Sequence, residues 1–329
     1  MTRLPRQLHI AVERFPIAGR FVISRGGKTE AVVVVATLVE GGFRGRGECV
    51  PYARYGESLE SVVAQIESLR QTIEAGLGRE DLQTILPPGA ARNALDCALW
   101  DLEAKASGVP VFRQAGLAPP APVTTAYTLS LDTPEAMAAA AKAAARPLLK
   151  LKLGGDGDAE RLAAVRAAAP HAQLIVDANE AWSPAHLAGH FAACAAQGVA
   201  LIEQPLPAGA DTILAEIAHP VPLCADESLH DRRDLAALRG RYEAINIKLD
   251  KAGGLTEALA LAADAERLGF QCMIGCMVAS SLAMAPALLL AGRADYVDLD
   301  GPLLLAQDRP DGLRYDGARV YPPTPALWG

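Results

Sequence analysis

The spacing of apolar residues changes along the chain from a period of two to the longer period of helices. Up to residue 50, apolar and polar positions alternate as in half-buried β-strands, whereas residues 58–107 have the spacing of amphipathic helices. Pro119, Pro120 and Pro122 then interrupt the pattern, so we place the end of this first α+β unit at residue 120. The predicted elements are strands at 8–14, 31–38 and 45–50, a glycine-containing connection at 21–30, and helices at 58–76 and 90–107.

From Val123 onward, short apolar runs alternate with alanine-rich amphipathic segments. This alternation predicts a parallel sheet with helical connections, and eight strand candidates favour a closed barrel over an open doubly wound sheet. No GxGxxG motif follows the first strand, which argues against dinucleotide binding. We therefore predict an α/β barrel over 121–309, with the proline-containing residues 310–329 running back across the first unit. The strand candidates are 123–130, 148–153, 174–177, 200–203, 222–225, 244–248, 270–274 and 296–298, and the helix candidates are 133–145, 159–169, 184–197, 255–268 and 281–290.

Composition and charge exclude several classes of protein. The chain has 329 residues, 51% of them hydrophobic, and a formal net charge of −7, so neither nucleic acid nor an anionic membrane is an expected partner. The apolar run 277–290 is too short to span a membrane. The six cysteines show no CxxC or zinc-ligand spacing, and the first residues lead into no signal-peptide core. Together these features predict a protein of the reducing cytoplasm.

Three consecutive strand candidates end in a carboxylate, namely Asp177, Glu203 and Asp226. The carboxyl ends of barrel strands open on one face, so these side chains are expected to lie together. Adjacent carboxylates repel one another unless a cation compensates, and an oxygen-only ligand set suits a hard divalent ion, with Mg²⁺ as the default. The alternative for each carboxylate is a helix cap or an arginine partner. Asn179 and Glu227 are expected to orient the ligands or to cap helices.

Lysines mark two further strand candidates. Lys150 and Lys152 alternate with leucines and therefore point to the same side of strand two, and Lys248 ends strand six. A neighbouring ammonium and a divalent ion would lower the pKa of a lysine to roughly 7–8, which suits a general base. Bases on strands two and six would face one carbon from opposite sides and could invert it. The metal would hold the substrate carboxylate and stabilise an enediolate, and Lys150 would bind the substrate there with a second positive charge. A Schiff-base lysine is an alternative, and Lys251 is expected to lie at the surface.

Five segments at the strand ends carry a resemblance to a known family. They are Lys150-Leu-Lys152, Val176-Asp177-Ala-Asn179, Ile202-Glu203-Gln-Pro205, Ala225-Asp226-Glu227-Ser228 and Asn246-Ile-Lys248. They resemble the enolase superfamily, muconate-lactonizing subgroup, over nearly the whole chain. The resemblance implies a modified (β/α)7β barrel of the TIM type with an N-terminal α+β capping domain. It also implies one Mg²⁺ on Asp177, Glu203 and Asp226, with Lys152 and Lys248 as the acid–base pair.

The last strand candidate narrows the resemblance. Asp298-Leu-Asp300 is similar to the Asp-x-Asp signature of dipeptide epimerases, in which two carboxylates hold the terminal ammonium of the substrate. The alternation would place Asp298 and Asp300 on the same side of the strand. The alternative is a polar strand end that leads into a turn at Gly301-Pro302.

The capping segments 21–26, 47–56 and 90–100 look closest to those of L-Ala-D/L-Glu epimerases. This likeness suggests that Arg25 pairs with the glutamate side chain of the substrate, since a guanidinium binds a carboxylate with two hydrogen bonds. The alternative is a surface arginine in a glycine-rich loop. Thr128 and Cys276 match family positions that contact the dipeptide, or they are ordinary barrel lining.

The expected function is therefore Mg²⁺-dependent epimerisation of a dipeptide at the α-carbon of its C-terminal residue. The resemblance implies a role in the recycling of cell-wall peptides. A cycloisomerase or o-succinylbenzoate synthase of the same subgroup is an alternative, although its substrate would bring no ammonium to Asp298 and Asp300. A non-catalytic binding barrel is another. The sequence leaves open the side-chain preference and whether the chain forms a homo-oligomer.

Overall fold

The computed structural model describes residues 5–329, which begin with an antiparallel sheet in the order β1-β2-β3. Its strands are β1 (Arg6–Ile23), β2 (Gly26–Glu40) and β3 (Phe43–Cys49). The predicted connection over 21–30 is wrong, because β1 and β2 continue as far as a two-residue turn at Ser24-Arg25. The tip of this hairpin lies against the second half of the chain, where Leu131 N donates a hydrogen bond to Val22 O at 3.0 Å.

The helices of the first unit pack on one face of this sheet. They are α1 (Leu59–Ser68), α2 (Arg70–Glu74), α3 (Arg79–Ile85), α4 (Ala90–Ser107) and α5 (Val111–Gln114). The predicted helix over 58–76 is broken at Leu69, whose ψ of 0° leaves the helical range. The helix α4 can approach β3 closely because two positions of the strand are glycines. A Cβ atom at Gly45 would lie 2.2 Å from Ala98 O, and one at Gly47 would lie 2.1 Å from Ala94 O, so neither position has room for a side chain.

The second half of the chain forms eight parallel strands in sequence order, from β5 to β12. A hydrogen bond of 2.8 Å from Ala126 N to Val297 O links the first of these strands to the last. This arrangement confirms the predicted barrel with its capping unit. After the short strand β4 (Val123–Thr124), which belongs to another sheet, the eight strands are β5 (Tyr127–Leu129), β6 (Leu148–Lys152), β7 (Gln173–Asp177), β8 (Val199–Glu203), β9 (Leu223–Ala225), β10 (Ala244–Ile247), β11 (Gln271–Ile274) and β12 (Tyr296–Val297).

Helices connect most of the successive barrel strands, whereas the connection from β8 to β9 contains only a short 3-10 helix at Thr212–Ala215. The helices are α6 (Pro134–Ala144), α7 (Asp158–Ala168), α8 (Leu187–Ala196), α9 (Leu235–Leu238), α10 (Leu249–Ala252), α11 (Leu255–Leu268) and α12 (Ser281–Ala287). No helix among residues 5–329 has both the length and the hydrophobicity that a membrane crossing requires.

The predicted strand over 123–130 is two strands with different partners. The first, β4, pairs with β14 (Arg319–Val320) in a small antiparallel sheet that also contains β13 (Tyr315–Asp316). The change of partner occurs between Thr125, whose N–H bonds Ala318 O, and Ala126, whose N–H bonds Val297 O. The C-terminal residues continue to α4, where Trp328 Nε1 donates to Cys97 O at 3.0 Å. The division of the chain at residues 120 and 309 stays a prediction.

A buried carboxylate joins the two units. Asp250 of α10 accepts two hydrogen bonds at the same oxygen, Oδ1, from Val50 N at 3.0 Å and from Asn93 Nδ2 at 2.9 Å. Burial raises the pKa of Asp250 from 3.8 to about 7, and the negative charges of Glu57 and Glu48 contribute to the increase. The folded protein therefore holds a carboxyl group that favours its protonated form more than the unfolded chain does.

This carboxyl group should make the folded protein less stable as the pH rises. Between pH 3.8 and about 7 the unfolded chain releases the proton first, so the free energy of unfolding falls over this interval and stays lower above it. In Asp250→Asn the amide oxygen can accept both hydrogen bonds without a charge. We expect the variant to melt at the same or a higher temperature than the wild type at pH 8, and to lose less stability between pH 5 and 8. Calorimetry across this range tests the prediction, with the exposed Asp316→Asn as control; an unchanged pH dependence would contradict it.

Candidate active site

The barrel interior is built in layers, and the layer above its apolar floor carries the site. The floor is formed by inward residues of successive strands, namely Ala126, Leu148, Ile175, Leu201, Cys224, Ala244 and Met273. Side chains two residues further along a strand point to the same side. This next layer contains Thr128, Lys150, Asp177, Glu203, Asp226, Asn246 and Gly275. Because side chains alternate along each strand, the polar residues of the sequence motifs lie in one layer at the mouth of the barrel.

The three predicted metal ligands meet in this layer. Asp177, Glu203 and Asp226 are all buried, and each offers a carboxylate oxygen within 4.8 Å of the others. Asn179 N donates to Asp177 Oδ1 at 2.9 Å, and Asn246 Nδ2 donates to Glu203 Oε1 at 2.8 Å, so protein contacts orient two of the ligands. Glu203 Oε2 makes no hydrogen bond of regular geometry, but it lies 2.6 Å from Lys150 Nζ in an ion pair. An oxygen-only cluster of three buried carboxylates fits a hard divalent cation.

Lys150 lies at the centre of the cluster. Its ammonium is 2.6 Å from Glu203 Oε2, 2.8 Å from Asp298 Oδ2 and 3.3 Å from Asp177 Oδ2. Burial lowers the pKa of Lys150, but these carboxylates outweigh burial and raise the pKa well above its usual value. Lys150 is therefore a fixed positive charge, suited to hold an anionic group and unsuited to act as a base.

Lys152 and Lys248 lie at the two ends of the carboxylate row. Lys152 Nζ is 2.6 Å from Asp177 Oδ2, and Lys248 Nζ is 2.7 Å from Asp226 Oδ2. Their strands, β6 and β10, are separated by three others in the barrel. Burial opposes the charge of Lys248, but Asp226 and Glu203 raise its pKa, which is opposite to the decrease expected from the sequence. A divalent cation on the same carboxylates would counteract this increase.

Lys251 is not a surface side chain, so that prediction is wrong. It is 2% exposed, and its ammonium lies 2.6 Å from Asp226 Oδ1, 2.5 Å from Asp226 O and 3.1 Å from Asn246 O. The turn of α10 carries it back under the strand ends, three residues after Lys248. Burial raises the pKa of Asp226, but Lys248 and Lys251 together lower it well below its usual value. Lys251 thus keeps this carboxylate ionised and in place.

The capping unit closes a cavity of about 570 Å³ over this layer. The β1–β2 hairpin contributes Phe21, Ile23 and Lys28, and the loop after β3 contributes Tyr52 and Tyr55. Lys28 and the two tyrosines were not predicted as site residues, since no strand-end pattern marks them. The walls are apolar at Met277, Val278 and Leu304.

Arg25 lies at the rim of the cavity, bound to the barrel. Its guanidinium donates to Glu227 Oε1 at 2.7 Å, to Glu180 Oε2 at 3.0 Å and to Asn179 O at 2.8 Å. Arg54, from the other capping loop, also binds Glu180, at 2.6 Å. Arg25 therefore fixes the hairpin tip to the barrel, and its predicted contact with a substrate side chain stays a prediction. Burial and the charge of Asp226 raise the pKa of Glu227.

Asp298 and Asp300 both face the cavity beside Thr128 and Cys276. Thr128 N donates to Asp300 Oδ2 at 2.6 Å. Asp298 Oδ2 binds Lys150, whereas Asp298 Oδ1 is buried without a hydrogen bond and is free to accept one. Burial and Asp298 raise the pKa of Asp300 to about 7. Burial and the same two aspartates raise the pKa of the Cys276 thiol, which disfavours the nucleophilic thiolate.

Two family models match most of the chain. Residues 132–325 match the enolase C-terminal domain-like model, and residues 6–116 match the mandelate racemase/muconate lactonizing enzyme N-terminal domain. The chain belongs to the mandelate racemase/muconate lactonizing enzyme family of the enolase superfamily. This finding confirms the resemblance drawn from the strand-end motifs.

Within this family the chain is similar to proteins named for glutamate-containing compounds. It is 50% identical to an L-Ala-D/L-Glu epimerase of Escherichia coli K12, over 96% of this chain and 99% of that one. It is 49% identical to an N-acetyl-D-glutamate racemase of Pseudoalteromonas, over 90% and 95%. A solved structure of an enolase family member from Agrobacterium tumefaciens, described with bound sodium and L-Ala-L-Glu, has a TM-score of 0.98 and 57% identity and covers 99% and 100% of the two chains.

Proposed function

We propose that this chain is a Mg²⁺-dependent dipeptide epimerase that inverts the α-carbon of the C-terminal residue, with L-Ala-D/L-Glu as its substrate. The observation that carries the proposal is the placement of two lysines, Lys152 and Lys248, at opposite ends of one carboxylate cluster inside one cavity. An isomerase that inverts a carbon by proton transfer needs an acid and a base on opposite faces of it. We further propose a single Mg²⁺, a cytoplasmic location and a role in recycling cell-wall peptides.

Each group of the site has a task in this reaction. In one direction Lys152 accepts the α-proton and protonated Lys248 donates a proton to the other face; in the reverse direction the roles exchange. Asp298 and Asp300 bind the terminal ammonium, and Lys150 holds the substrate carboxylate beside the cluster. Asp177, Glu203 and Asp226 would hold the metal, which supplies charge stabilisation for the enediolate. The capping hairpin and loop exclude water from the cavity.

Deuterium incorporation tests the proposal directly. The protein is incubated with a library of dipeptides in D₂O and Mg²⁺, and mass spectrometry detects α-deuterated products. We expect L-Ala-L-Glu and L-Ala-D-Glu to gain one deuterium and to interconvert. A non-catalytic binding barrel would incorporate none, and a cycloisomerase would leave every dipeptide unlabelled.

Racemisation of an N-acylated glutamate is a second candidate function, because the relative from Pseudoalteromonas that is 49% identical is named N-acetyl-D-glutamate racemase. The two candidates differ at the N-terminal side of the substrate, where a dipeptide carries an ammonium and an N-acetyl amino acid carries none. The free oxygen Asp298 Oδ1 favours the dipeptide, because a buried carboxylate oxygen without a partner is costly until a donor binds it.

Asp300→Asn separates these candidates. The variant keeps an oxygen that can accept from Thr128 N but removes the negative charge near the ammonium. Since a hydrogen bond to a charged group contributes about 1.5–3 kcal/mol, kcat/KM for L-Ala-L-Glu should fall by about 10- to 100-fold. The kcat/KM of the variant for N-acetyl-L-glutamate should equal or exceed that of the wild type. If Asp298→Asn and Asp300→Asn both keep the wild-type activity on dipeptides, these carboxylates do not bind the substrate ammonium and this assignment is wrong.

A further inference from the structure

One cation of the cavity, Lys28, has no anionic partner. Lys28 lies on β2 directly opposite Phe21 of β1, near the tip of the capping hairpin, and lines the cavity. Among residues 5–329 its ammonium makes no hydrogen bond and no ion pair. The three lysines of the barrel that face the same cavity, Lys150, Lys152 and Lys248, each lie within 2.7 Å of a carboxylate oxygen. Lys28 is therefore the cavity lysine whose charge is not already neutralised.

The surroundings of Lys28 favour a bound anion. Burial lowers the pKa of Lys28, and the positive charges of Lys152 and Lys248 lower it further, so this side of the cavity has an excess of positive charge. A negatively charged group placed there would be attracted by Lys28 and would relieve its repulsion by the other ammonium groups. The hairpin thus brings Lys28, a residue of the capping unit, to the cavity that Lys150, Lys152 and Lys248 of the barrel also line.

The charges of a dipeptide that ends in glutamate leave one group without a partner in the barrel. Such a substrate has one ammonium, which Asp298 and Asp300 would bind, and an α-carboxylate, which the metal cluster and Lys150 would bind. Its side-chain carboxylate remains. Arg25 is already bound by Glu227 and Glu180, with both carboxylates within 3.0 Å. Among the described residues that line the cavity, Lys28 is the remaining cation without such bonds.

We propose that Lys28 binds the side-chain carboxylate of an acidic residue at the reacting position and so determines the preference of the enzyme for glutamate there. The inference rests on the proposed epimerase function and deepens it, because it names a residue that selects the substrate class. Lys28 takes no part in proton transfer. It contributes to substrate binding. Its removal should raise KM for acidic substrates and should leave KM and kcat for neutral substrates nearly unchanged.

The test compares L-Ala-L-Glu with its uncharged analogue L-Ala-L-Gln, by deuterium exchange and epimerisation. Lys28→Met should lower kcat/KM for L-Ala-L-Glu by about 10- to 100-fold, the usual effect of losing a hydrogen bond between charged groups. The same variant should keep kcat/KM for L-Ala-L-Gln within about threefold of the wild type. Lys28→Arg should restore the preference for glutamate, and Lys28→Glu should shift the preference toward L-Ala-L-Lys.

Matched variants separate this role from others. Lys142→Met removes the same charge from the exposed face of α6 and should leave the ratio of the two substrates unchanged. If Arg25→Met lowers this ratio and Lys28→Met does not, Arg25 is the binding residue and the proposal is wrong. Equal loss of both activities in a folded Lys28→Met, or in Lys28→Gln if the methionine variant does not fold, would also overturn it. The epimerase proposal fails separately, if the wild type exchanges no dipeptide at all.

Discussion

Replacing Lys248 by alanine is expected to abolish epimerisation while exchange of the α-proton continues from one enantiomer. Lys248 Nζ lies at the β10 end of the carboxylate row, 2.7 Å from Asp226 Oδ2, and Lys152 lies at the β6 end. Removing one of two opposed proton carriers leaves the other able to remove and return a proton on its own face. Loss of a positioned acid–base group usually costs about 10²- to 10⁴-fold in rate, and we expect a decrease of at least about 10³-fold in epimerisation.

The matched control is the reciprocal variant, Lys152→Ala. In D₂O each variant is given L-Ala-L-Glu and L-Ala-D-Glu separately, and α-deuteration is followed by mass spectrometry. The two variants should label opposite enantiomers, because the two ammonium groups belong to strands on opposite sides of the barrel. Labelling of the same enantiomer by both variants would contradict the two-base arrangement, as would normal epimerisation by either.

Strand alternation explains why the sequence alone predicted so much of the site. In Leu148-Leu-Lys-Leu-Lys the inward positions are Leu148, Lys150 and Lys152, so the barrel floor, the central cation and the outer lysine follow from one period of two. The same rule places Asp177 two residues above Ile175 and Glu203 two residues above Leu201. In a parallel barrel with short strands, the strand register alone places these residues in one layer, so their proximity can be predicted without information on tertiary contacts.

Residues supplied by turns and by the capping unit could not be predicted in this way. The burial of Lys251 depends on the turn of α10, which folds the side chain back under Asp226, and no periodicity marks such a reversal. Lys28 reaches the cavity because the paired strands of the β1–β2 hairpin run through residues 21–30, where glycines suggested a loop. The partners of Arg25 are Glu180 and Glu227, which are more than 150 residues away along the chain.

Replacing Glu203 by glutamine is expected to remove both divalent-metal binding and activity. Glu203 lies in the middle of the row, with Oε1 held by Asn246 Nδ2 at 2.8 Å and Oε2 2.6 Å from Lys150 Nζ. Loss of residues that merely orient metal ligands costs about 10- to 100-fold in affinity, so loss of a ligand should cost at least about 100-fold. Titration calorimetry with Mg²⁺ measures this change. The control is Asp158→Asn, which changes a buried aspartate outside the cluster. This variant should be less stable than the wild type but should bind Mg²⁺ with the same affinity.

The thermal stability of the same variant distinguishes loss of a ligand from loss of the fold. Burial and the neighbouring charge of Asp177 raise the pKa of Glu203 to about 7, because three carboxylates share a buried site. Glutamine at this position keeps an acceptor for Asn246 and removes one of the repelling charges, while Lys150 loses its ion pair with Glu203 but keeps Asp298 and Asp177 as partners. In chelator, Glu203→Gln should therefore melt within a few degrees of the wild type. Added Mg²⁺ should then raise the melting temperature of the wild type alone, since only a state that binds the ion is stabilised by it. If Mg²⁺ stabilises Glu203→Gln as strongly as the wild type, the ion does not bind at this cluster, and the assignment of Asp177, Glu203 and Asp226 as its ligands is wrong.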